Sequence, residues 1–351
     1  MDDVIHIIGA ETSTDMLCEL NALADPQETI VSIGPVRENR GLDRKTTQVR
    51  TILGSGAAAA WGIRRLEAKA DLIHAWSPQA ASAAQWSANG RPIVLSLPHL
   101  RRLHQADIAI SGCFDGLWTL TAPTAPQRRV LITLGLDPKR VFVLPPAFKA
   151  PGDALGSRNR IRSELNLDDD CFLLAAGGEM TPANGHKQVC WAHAMSRIVN
   201  ERTRLVFPSS GPARRAVETF VQSIGYPHEV FFTAGRMTPS DVLTAADAAI
   251  FLQRNDCGVG AVANAMACGL PILASDRPEI ADCAPHGKSA LLSPPGDVRQ
   301  AADNLLSLIN DEELRQKLAN RAAEQAAEKF DPATNRNRLK EIYSTVLSAC
   351  S

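Results

Sequence analysis

Residues 255–271 read NDCGVGAVANAMACGLP: an acid, Asp256, then a turn holding Gly258 and Gly260, then a short helical run stopped by Cys-Gly-Leu-Pro. A helix entered through such a turn leaves its first backbone N–H groups free. Together with the helix dipole they attract a phosphate whatever the side chains nearby. The helix beginning near Val259 is therefore a candidate anion site, with Asp256 as the one carboxylate in front of it. Eight positions after Asp256, where a second acid would face the same space, stands Asn264. An amide still hydrogen-bonds a hydroxyl there, at roughly half the strength of a charge-assisted contact. Gly54-Ser55-Gly56 opens another helical stretch, but a lone G-x-G without a phosphate-binding lysine reads first as helix entry. No Ser/His/Asp order, P-loop or metal cluster stands out. His74 alternates inside an apolar strand and reads as core, and Asp71 as a strand-start turn residue.

The elements that must carry these residues repeat as short apolar strand, Gly/Ser/Thr turn and amphipathic helix. In the first part, strands fall at VIHII (4–8), TIVSIG (29–34), DLIHAW (71–76), PIVLSL (92–97) and VFVLPP (141–146). Helices are expected from Thr12–Asp15 through Leu23, over 54–70 and around 124–135. AFKAPGDALGS (147–157) reads as a linker. Beyond it strands are expected at 171–178, 204–209, 229–235, 248–253, 271–276 and 290–294. Helices alternate with them at 157–167, 185–200, 212–224, 239–246 and 259–268, with more from 297. The last helix, 334–349, carries apolar residues on one face only. Strands alternating with helices at this spacing argue for parallel sheets covered on both faces. Two such doubly wound units in tandem would face a cleft at the carboxyl ends of their strands, where ligands of open α/β sheets bind.

Size and charge fit this division. A chain of 351 residues is long for one core and suits two domains. The net charge is −1, and splitting at residue 150 leaves 16 Lys and Arg against 14 Asp and Glu in the first part. So weak an asymmetry recruits no nucleic acid. Eight dispersed cysteines without a C-x-x-C pair suit packing as small apolar residues in a reducing cytoplasm. MDDVIHIIGA is acidic ahead of a short apolar run, the reverse of a secretory signal. No stretch approaches eighteen apolar residues, so a soluble cytoplasmic protein is expected. Arg101-Arg102 and Arg128-Arg129 allow a weak peripheral contact with an anionic lipid head group, although such pairs more often form a solvated helix face.

The blocks FLLAAGGEMTPANGH, VFPSSGP, ADAAIFLQRNDCGVGAVANAMACGLPILASD and HGKSALLSPPGD follow one another from 172 to 297. In order and spacing they resemble the C-terminal domain of the retaining, family-four glycosyltransferases of GT-B fold. The resemblance runs from about 160 to 330, and AMACGLPILASD is its most specific part. DLIHAWS, VLSLPH and KRVFVLPPAF resemble that family's N-terminal strands more loosely. The implied organisation is an acceptor-side Rossmann-like domain over 1–150 and a nucleotide-sugar donor domain over 151–333. A helix over 334–351 would cross back to the first domain.

Such a transfer breaks the anomeric C–O bond to a diphosphate, whose developing charge must be neutralised. The resemblance implies that this is done without a metal or cofactor, by an Arg and a Lys after the first strand of the second domain. Here that block is Gly178-Glu179-Met180-Thr181-Pro182-Ala183-Asn184-Gly185: the Arg position holds Glu179 and the Lys position Asn184. The family's paired acids fall on Asp256, which would orient the donor sugar, and Asn264, at the ribose. Its turn glycines fall on Cys257 and Val259 rather than on Gly258 and Gly260. All four diagnostic polar positions thus depart from the pattern, and each lost cation would cost about 10²–10³ in rate. Lys187, one turn beyond Asn184, and Arg254, two residues before Asp256, are candidate replacements, with Arg277 and Lys288 less favoured. Gly9, after the first strand, corresponds to a loop approaching donor phosphate and acceptor. His99 lies one residue from a catalytically placed His.

Three functions remain open on this reading. The first is a retaining transferase moving a sugar from a nucleotide-sugar donor to a glycan or lipid-linked acceptor. The second is a weakened or inactive homologue that binds a sugar or nucleotide, or partners an active transferase. The third, less favoured, is epimerisation of a nucleotide sugar using Glu179 and Asp256.

Overall fold

The computed structural model describes residues 4–9, 14–25, 28–33, 48–52, 70–87, 90–97, 118–149, 152–254 and 259–350. By its internal contacts the chain divides into two compact units, Met1–Ala147 with Pro332–Ser351, and Phe148–Asp331.

The first unit runs β1 (Val4–Gly9), α1 (Thr14–Leu23), β2 (Thr29–Ile33), β3 (Gln48–Ile52), β4 (Leu72–Ala75), α2 (Pro78–Ser87), β5 (Ile93–Ser96), β6 (Trp118–Ala122), α3 (Ala125–Thr133) and β7 (Val141–Val143). Its strands form one sheet in the order β3-β2-β1-β4-β5-β6-β7, every pairing parallel. All five strands expected in this part are present, and Pro145 and Pro146 explain why β7 stops at Val143. Two strands and a helix escaped the reading. In β3, QVRTI is too polar to stand out. In β6, WTLTA buries two threonines, one of which shares a hydrogen bond with Ser96 (Thr121 Oγ1 to Ser96 Oγ, 2.7 Å). In α2, PQAASAAQWS has no bulky stripe, and the sheet is met instead by Ala80, Ala81 and Ala84. The helix expected over 54–70, with Gly54, Ser55 and Gly56, lies outside the described residues, as do Arg101 and Arg102. Arg128 is committed internally, donating to the carbonyls of Val141 (2.6 Å) and Pro138 (2.8 Å).

The C-terminal helix, Pro332–Cys350, packs on the sheet through Leu339, Ile342, Tyr343 and Val346, the expected single face. Its neighbours there include Leu17 and Leu20 of α1. Polar groups add further ties. Arg336 donates to the carbonyls of Ala22 (2.6 Å) and Leu23 (3.2 Å) at the end of α1, and Lys340 pairs with Asp25 at 2.8 Å. His74 is more than core filling. Its Nδ1 is hydrogen-bonded to the Tyr343 hydroxyl (2.6 Å) and its Nε2 to Ser96 Oγ (2.8 Å), and its ring stacks on Trp76. The Trp76 indole N–H in turn donates to His6, whose Nε2 meets Glu28 at 3.0 Å.

The second unit runs α4 (Ala154–Glu164), β8 (Phe172–Ala176), α5 (His186–Arg197), β9 (Thr203–Phe207), α6 (Arg214–Ser223), β10 (Val230–Phe232), α7 (Pro239–Ala245), β11 (Ala248–Phe251), α8 (Gly260–Ala267), β12 (Ile272–Ser275), α9 (Pro278–Cys283), β13 (Ala290–Ser293), α10 (Val298–Asn310) and α11 (Glu312–Lys329). The sheet order is β10-β9-β8-β11-β12-β13, again parallel throughout. All six expected strands are present. Only α9 was unexpected, a short turn led by Pro278. β8 and β11 are buried along their whole length, as apolar runs covered on both faces should be. Side-chain oxygens of Asp153, Thr238, Asp297 and Asp311 cap α4, α7, α10 and α11. Asp247 ties α4 to the sheet. Its carboxylate accepts from Arg158 (2.6 Å), Arg162 (3.4 Å) and the backbone N–H of Leu173 (2.7 Å).

Cys171, Cys190 and Cys283 are buried free thiols. Burial pushes Cys190, Cys268 and Cys283 up to about 12, so they pack as small apolar groups. Among the described residues, no helix is long and apolar enough to cross a membrane.

Candidate functional site

In the second sheet the strand order reverses between β8 and β11, which puts the topological switch point at their carboxyl ends. The sequence is built for close approach there. β8 gives way to Gly177 and Gly178. A side chain on Gly177 would collide with the Phe251 ring at the end of β11, its Cβ 2.3 Å from Cε1. Gly178 has φ +83°, a left-handed conformation suited to glycine. A Cβ there would lie 3.9 Å from Cβ of Ala261, so the turn after β8 lies against the first turn of α8.

The loop from Glu179 to Asn184 is fastened at both ends. Met180 is fully buried, its N–H donates to the Ser210 carbonyl (2.9 Å), and its carbonyl accepts from Ala213 (2.8 Å). Asn184 Nδ2 donates to the Glu179 carbonyl at 2.7 Å and its backbone N–H to the Thr181 carbonyl at 3.2 Å. Gly185, at φ +67°, leads into α5 directly against the Leu252 carbonyl. The Arg254 N–H donates to the Ala183 carbonyl at 3.3 Å. The loops after β8 and β11 therefore form one backbone-braced corner.

The structure brings Gly178, Glu179, Asn184 and Arg254 into this corner, together with Val259 and Gly260 at the start of α8. Glu179 and Asn184 are half-buried and Arg254 is exposed. Val259 is the N-cap of α8, and no side chain caps the helix among the described residues. Its first amides are left for a ligand or for loop groups. Asn264 lies one turn further on, 2% exposed, and its Oδ1 accepts from Ser240 of α7 (3.2 Å). The ammonium of Lys187 is seated over the Phe220 ring, 5.6 Å from its centroid. Arg277 pairs with buried Glu279 at 3.5 Å, and Lys288 is exposed. Gly9 closes β1 in the first unit, in register with Ile33. Asp256, Gly258 and His99 lie outside the described residues.

Three polar side chains at this edge were missed. His186, the first residue of α5, is 3% exposed beside Phe207 and close to the backbone of Gly177 and Gly178, and among the described residues neither ring nitrogen makes a hydrogen bond of good geometry. Burial lowers its pKa to about 4, against the opposing pull of the Gly178 and Gly177 backbone. Gln253 and Ser275, at the ends of β11 and β12, are buried with Oε1 and Oγ unpartnered. For Gln253 and Ser275 the signal available in the sequence was their place, polar residues closing apolar strand runs; His186, ten residues beyond β8, offered none. Among the described residues, no group of three or more His, Cys, Asp or Glu is placed to hold a metal ion.

Residues 157–325 match the family described as glycosyl transferases group 1. Over 155 residues the chain is 26% identical to N-acetyl-alpha-D-glucosaminyl L-malate synthase of Bacillus anthracis, covering 44% of this chain and 41% of that protein. It is 29% identical over 224 residues to D-inositol 3-phosphate glycosyltransferase of Stackebrandtia nassauensis, covering 59% and 50%. The chain thus spans about half the length of the curated relatives it matches. Its structure is similar to that of Anabaena HepE in complex with UDP and glucose, with TM-score 0.86, 15% identity and coverage of 98% of this chain and 100% of that one. Sucrose-phosphate synthase from Thermosynechococcus elongatus is also similar, with TM-score 0.78, 15% identity and coverage of 99% and 100%. Likeness at that identity is one of fold, and the fold is GT-B: two parallel-sheet, Rossmann-like domains.

Proposed function

Starting from its membership, carried by residues 157–325, of the group 1 glycosyltransferases, we propose that this protein transfers a sugar from a nucleoside-diphosphate donor with retention. One observation carries the reading. At the switch point of the second sheet, the glycine turn after β8 lies against the N-terminal turn of α8, which no described side chain caps. A diphosphate held there accepts hydrogen bonds from backbone amides, and the helix dipole favours its charge. Charge that develops on the leaving group is then stabilised by groups already in place, without a metal or cofactor. Arg254 supplies the cation at the rim, Asp256 orients the sugar, and Asn264 marks the ribose side. Gly9 and His99 belong to the acceptor side, which the first unit provides. The acceptor is a hydroxyl on a glycan or lipid-linked glycan. Malate and inositol 3-phosphate, from the names of the curated relatives, belong in the same panel.

The test is in two stages. Thermal shift against UDP, GDP and ADP should show one nucleotide stabilising the protein, by about 2.7 kcal/mol at a hundredfold excess over its dissociation constant. Incubation of the matching α-linked nucleotide sugar with the acceptor panel should then give an α-linked product by NMR, insensitive to EDTA. No stabilisation by any nucleotide would sink the proposal.

A second reading, a nucleotide-binding homologue without turnover, is favoured by Asn184. Its side chain braces the Glu179 carbonyl where the family resemblance places a lysine. Nucleotide stabilisation without release of nucleoside diphosphate from any nucleotide sugar would select it.

A further inference from the structure

Helix α5 starts at the corner just described, but its outer face has no role there. Val189, Cys190, Ala192, His193 and Ser196 turn inward and are buried. On the opposite face Trp191 is 49% exposed and Met195 37%, and in the turn that ends the helix Ile198 is 77% exposed and Val199 66%. Steps of four and then three residues separate Trp191, Met195 and Ile198, the spacing of a seam between paired helices. Apolar side chains that open to water are ordinary when scattered, but here four share one stripe. The stripe is held rigid, since Trp191 sits edge-on against Phe220 of α6 at 5.6 Å between ring centroids.

The surrounding charges identify the occupant. Arg197 is paired with Glu229 and lies over the Tyr226 ring, Arg202 pairs with Asp170, and Arg214 pairs with Glu218 at 2.7 Å. Lys187, over the Phe220 ring, and exposed Arg215 are further cations here, too few to form the basic cluster that holds a protein on an anionic bilayer or a polyanion. The four side chains expose on the order of 400 Å², about half of the roughly 800 Å² that each partner contributes to a standard interface. That is the proportion expected of an apolar centre inside a polar rim. An apolar patch of this size, with most of the arginines around it paired within the chain, is suited to a second copy of itself.

We propose that this face is the two-fold interface of a homodimer, in which α5 pairs antiparallel with α5 of a second copy. Pairing centred on Met195 sets Trp191 of one copy opposite Val199 of the other, so each bulky ring meets an aliphatic side chain. The proposal is independent of the chemistry at the corner.

Sedimentation velocity on the full chain over about 1–100 μM should show a dimer. Ile198→Asp should give a monomer with an unchanged circular dichroism spectrum and melting temperature, because Ile198 is largely open to water. Leu155→Asp, at an apolar side chain of α4 exposed to 70%, should leave the dimer intact. Under mild oxidation Met195→Cys should form a covalent dimer that the wild-type chain, with its existing thiols, does not. A monomeric wild-type protein at the highest concentration would overturn the proposal. So would a dimer that survives Ile198→Asp, or a chain that stays monomeric but pellets with phosphatidylglycerol vesicles.

Discussion

Replacing Gly185 with alanine measures how tightly the loop after β8 is seated on the end of β11. An ideal Cβ at Gly185 would lie 1.8 Å from the Leu252 carbonyl oxygen and 2.7 Å from its carbonyl carbon. Non-bonded heavy atoms settle near 3.5 Å, so one backbone must move by roughly 1.5 Å. Neither moves cheaply: Leu252 continues directly from the wholly buried β11, and Gly185 leads into α5. Overpacking of this kind costs about 1–3 kcal/mol, and the left-handed conformation (φ +67° here) costs alanine about 1 kcal/mol more. We expect Gly185→Ala to destabilise the second unit by about 3–4 kcal/mol. Gly178→Ala is the internal control. Its φ of +83° is equally unsuited to alanine, but the nearest atoms to its Cβ, at 3.7 and 3.9 Å, are at ordinary contact distance. Only the conformational cost of about 1 kcal/mol should remain. Equilibrium urea unfolding of both variants, compared at unchanged m-value, separates the two contributions. Equal losses in the two variants, or a Gly185→Ala protein within 1 kcal/mol of wild type, would refute the seating argument.

Other perturbations have equally definite outcomes. Asp247→Ala leaves the buried Arg162 guanidinium without its carboxylate and strips an acceptor from the Leu173 N–H; a loss of about 3 kcal/mol is expected by denaturant unfolding, the low end for a buried pair because the site is partly open. Asn184→Ala removes the 2.7 Å bond to the Glu179 carbonyl and should cost about 1 kcal/mol, with weaker binding of whichever nucleotide stabilises the wild type, read by calorimetry. Burial holds His74, His186 and His193 below their ordinary pKa, to about 4 for His186, so the unfolded chain binds more protons below pH 6.5. Their contribution is complete above pH 6.5 and is lost as pH falls toward 4, by about 1.4 kcal/mol per pH unit for each histidine still neutral; melting temperatures should fall steeply over that window, less so in His186→Gln.

How much of this was legible in the sequence varies with the signal each residue leaves. All six strands of the second unit were readable, because buried parallel strands such as FLLAA and AAIF are apolar end to end. Helix starts near 239 and 297 were readable, but α4, expected from 157, begins at Ala154 with Asp153 as its cap, inside the stretch read as a linker. QVRTI escaped because its composition is polar, and WTLTA because it carries threonines whose burial depends on partners from elsewhere in the chain. Thr121 depends on Ser96, and that hydroxyl on His74. No window of sequence contains such a pairing. His74 shows the same limit: alternation correctly put it inside, but Tyr343, 269 residues away, decides what it does there.

The corner after β8 and β11 divides along the same line. Its backbone is specified locally, by glycines at 177, 178 and 185 whose missing side chains let the two loops close on each other. Such features persist while side chains change, since any Cβ at 177 or 185 meets atoms already in place. Its side chains obey no such constraint. At 184 the amide donates to the Glu179 carbonyl and so does mechanical work for the loop, where a lysine ammonium would have been spent on a ligand. The anion site proposed here would draw its attraction from backbone amides and the α8 dipole, which substitutions other than proline leave in place. Affinity for a diphosphate and the rate of its departure can therefore part company. In the proposed reaction the amides hold the ground state, whereas the charge that appears only as the bond breaks is met best by a cation already aimed at it. Of the cations proposed for that work, Lys187 is seated on Phe220. Arg277 is paired with Glu279, so under the proposed function Arg254 and Lys288 are the positions at which alanine should lower turnover more than nucleotide affinity.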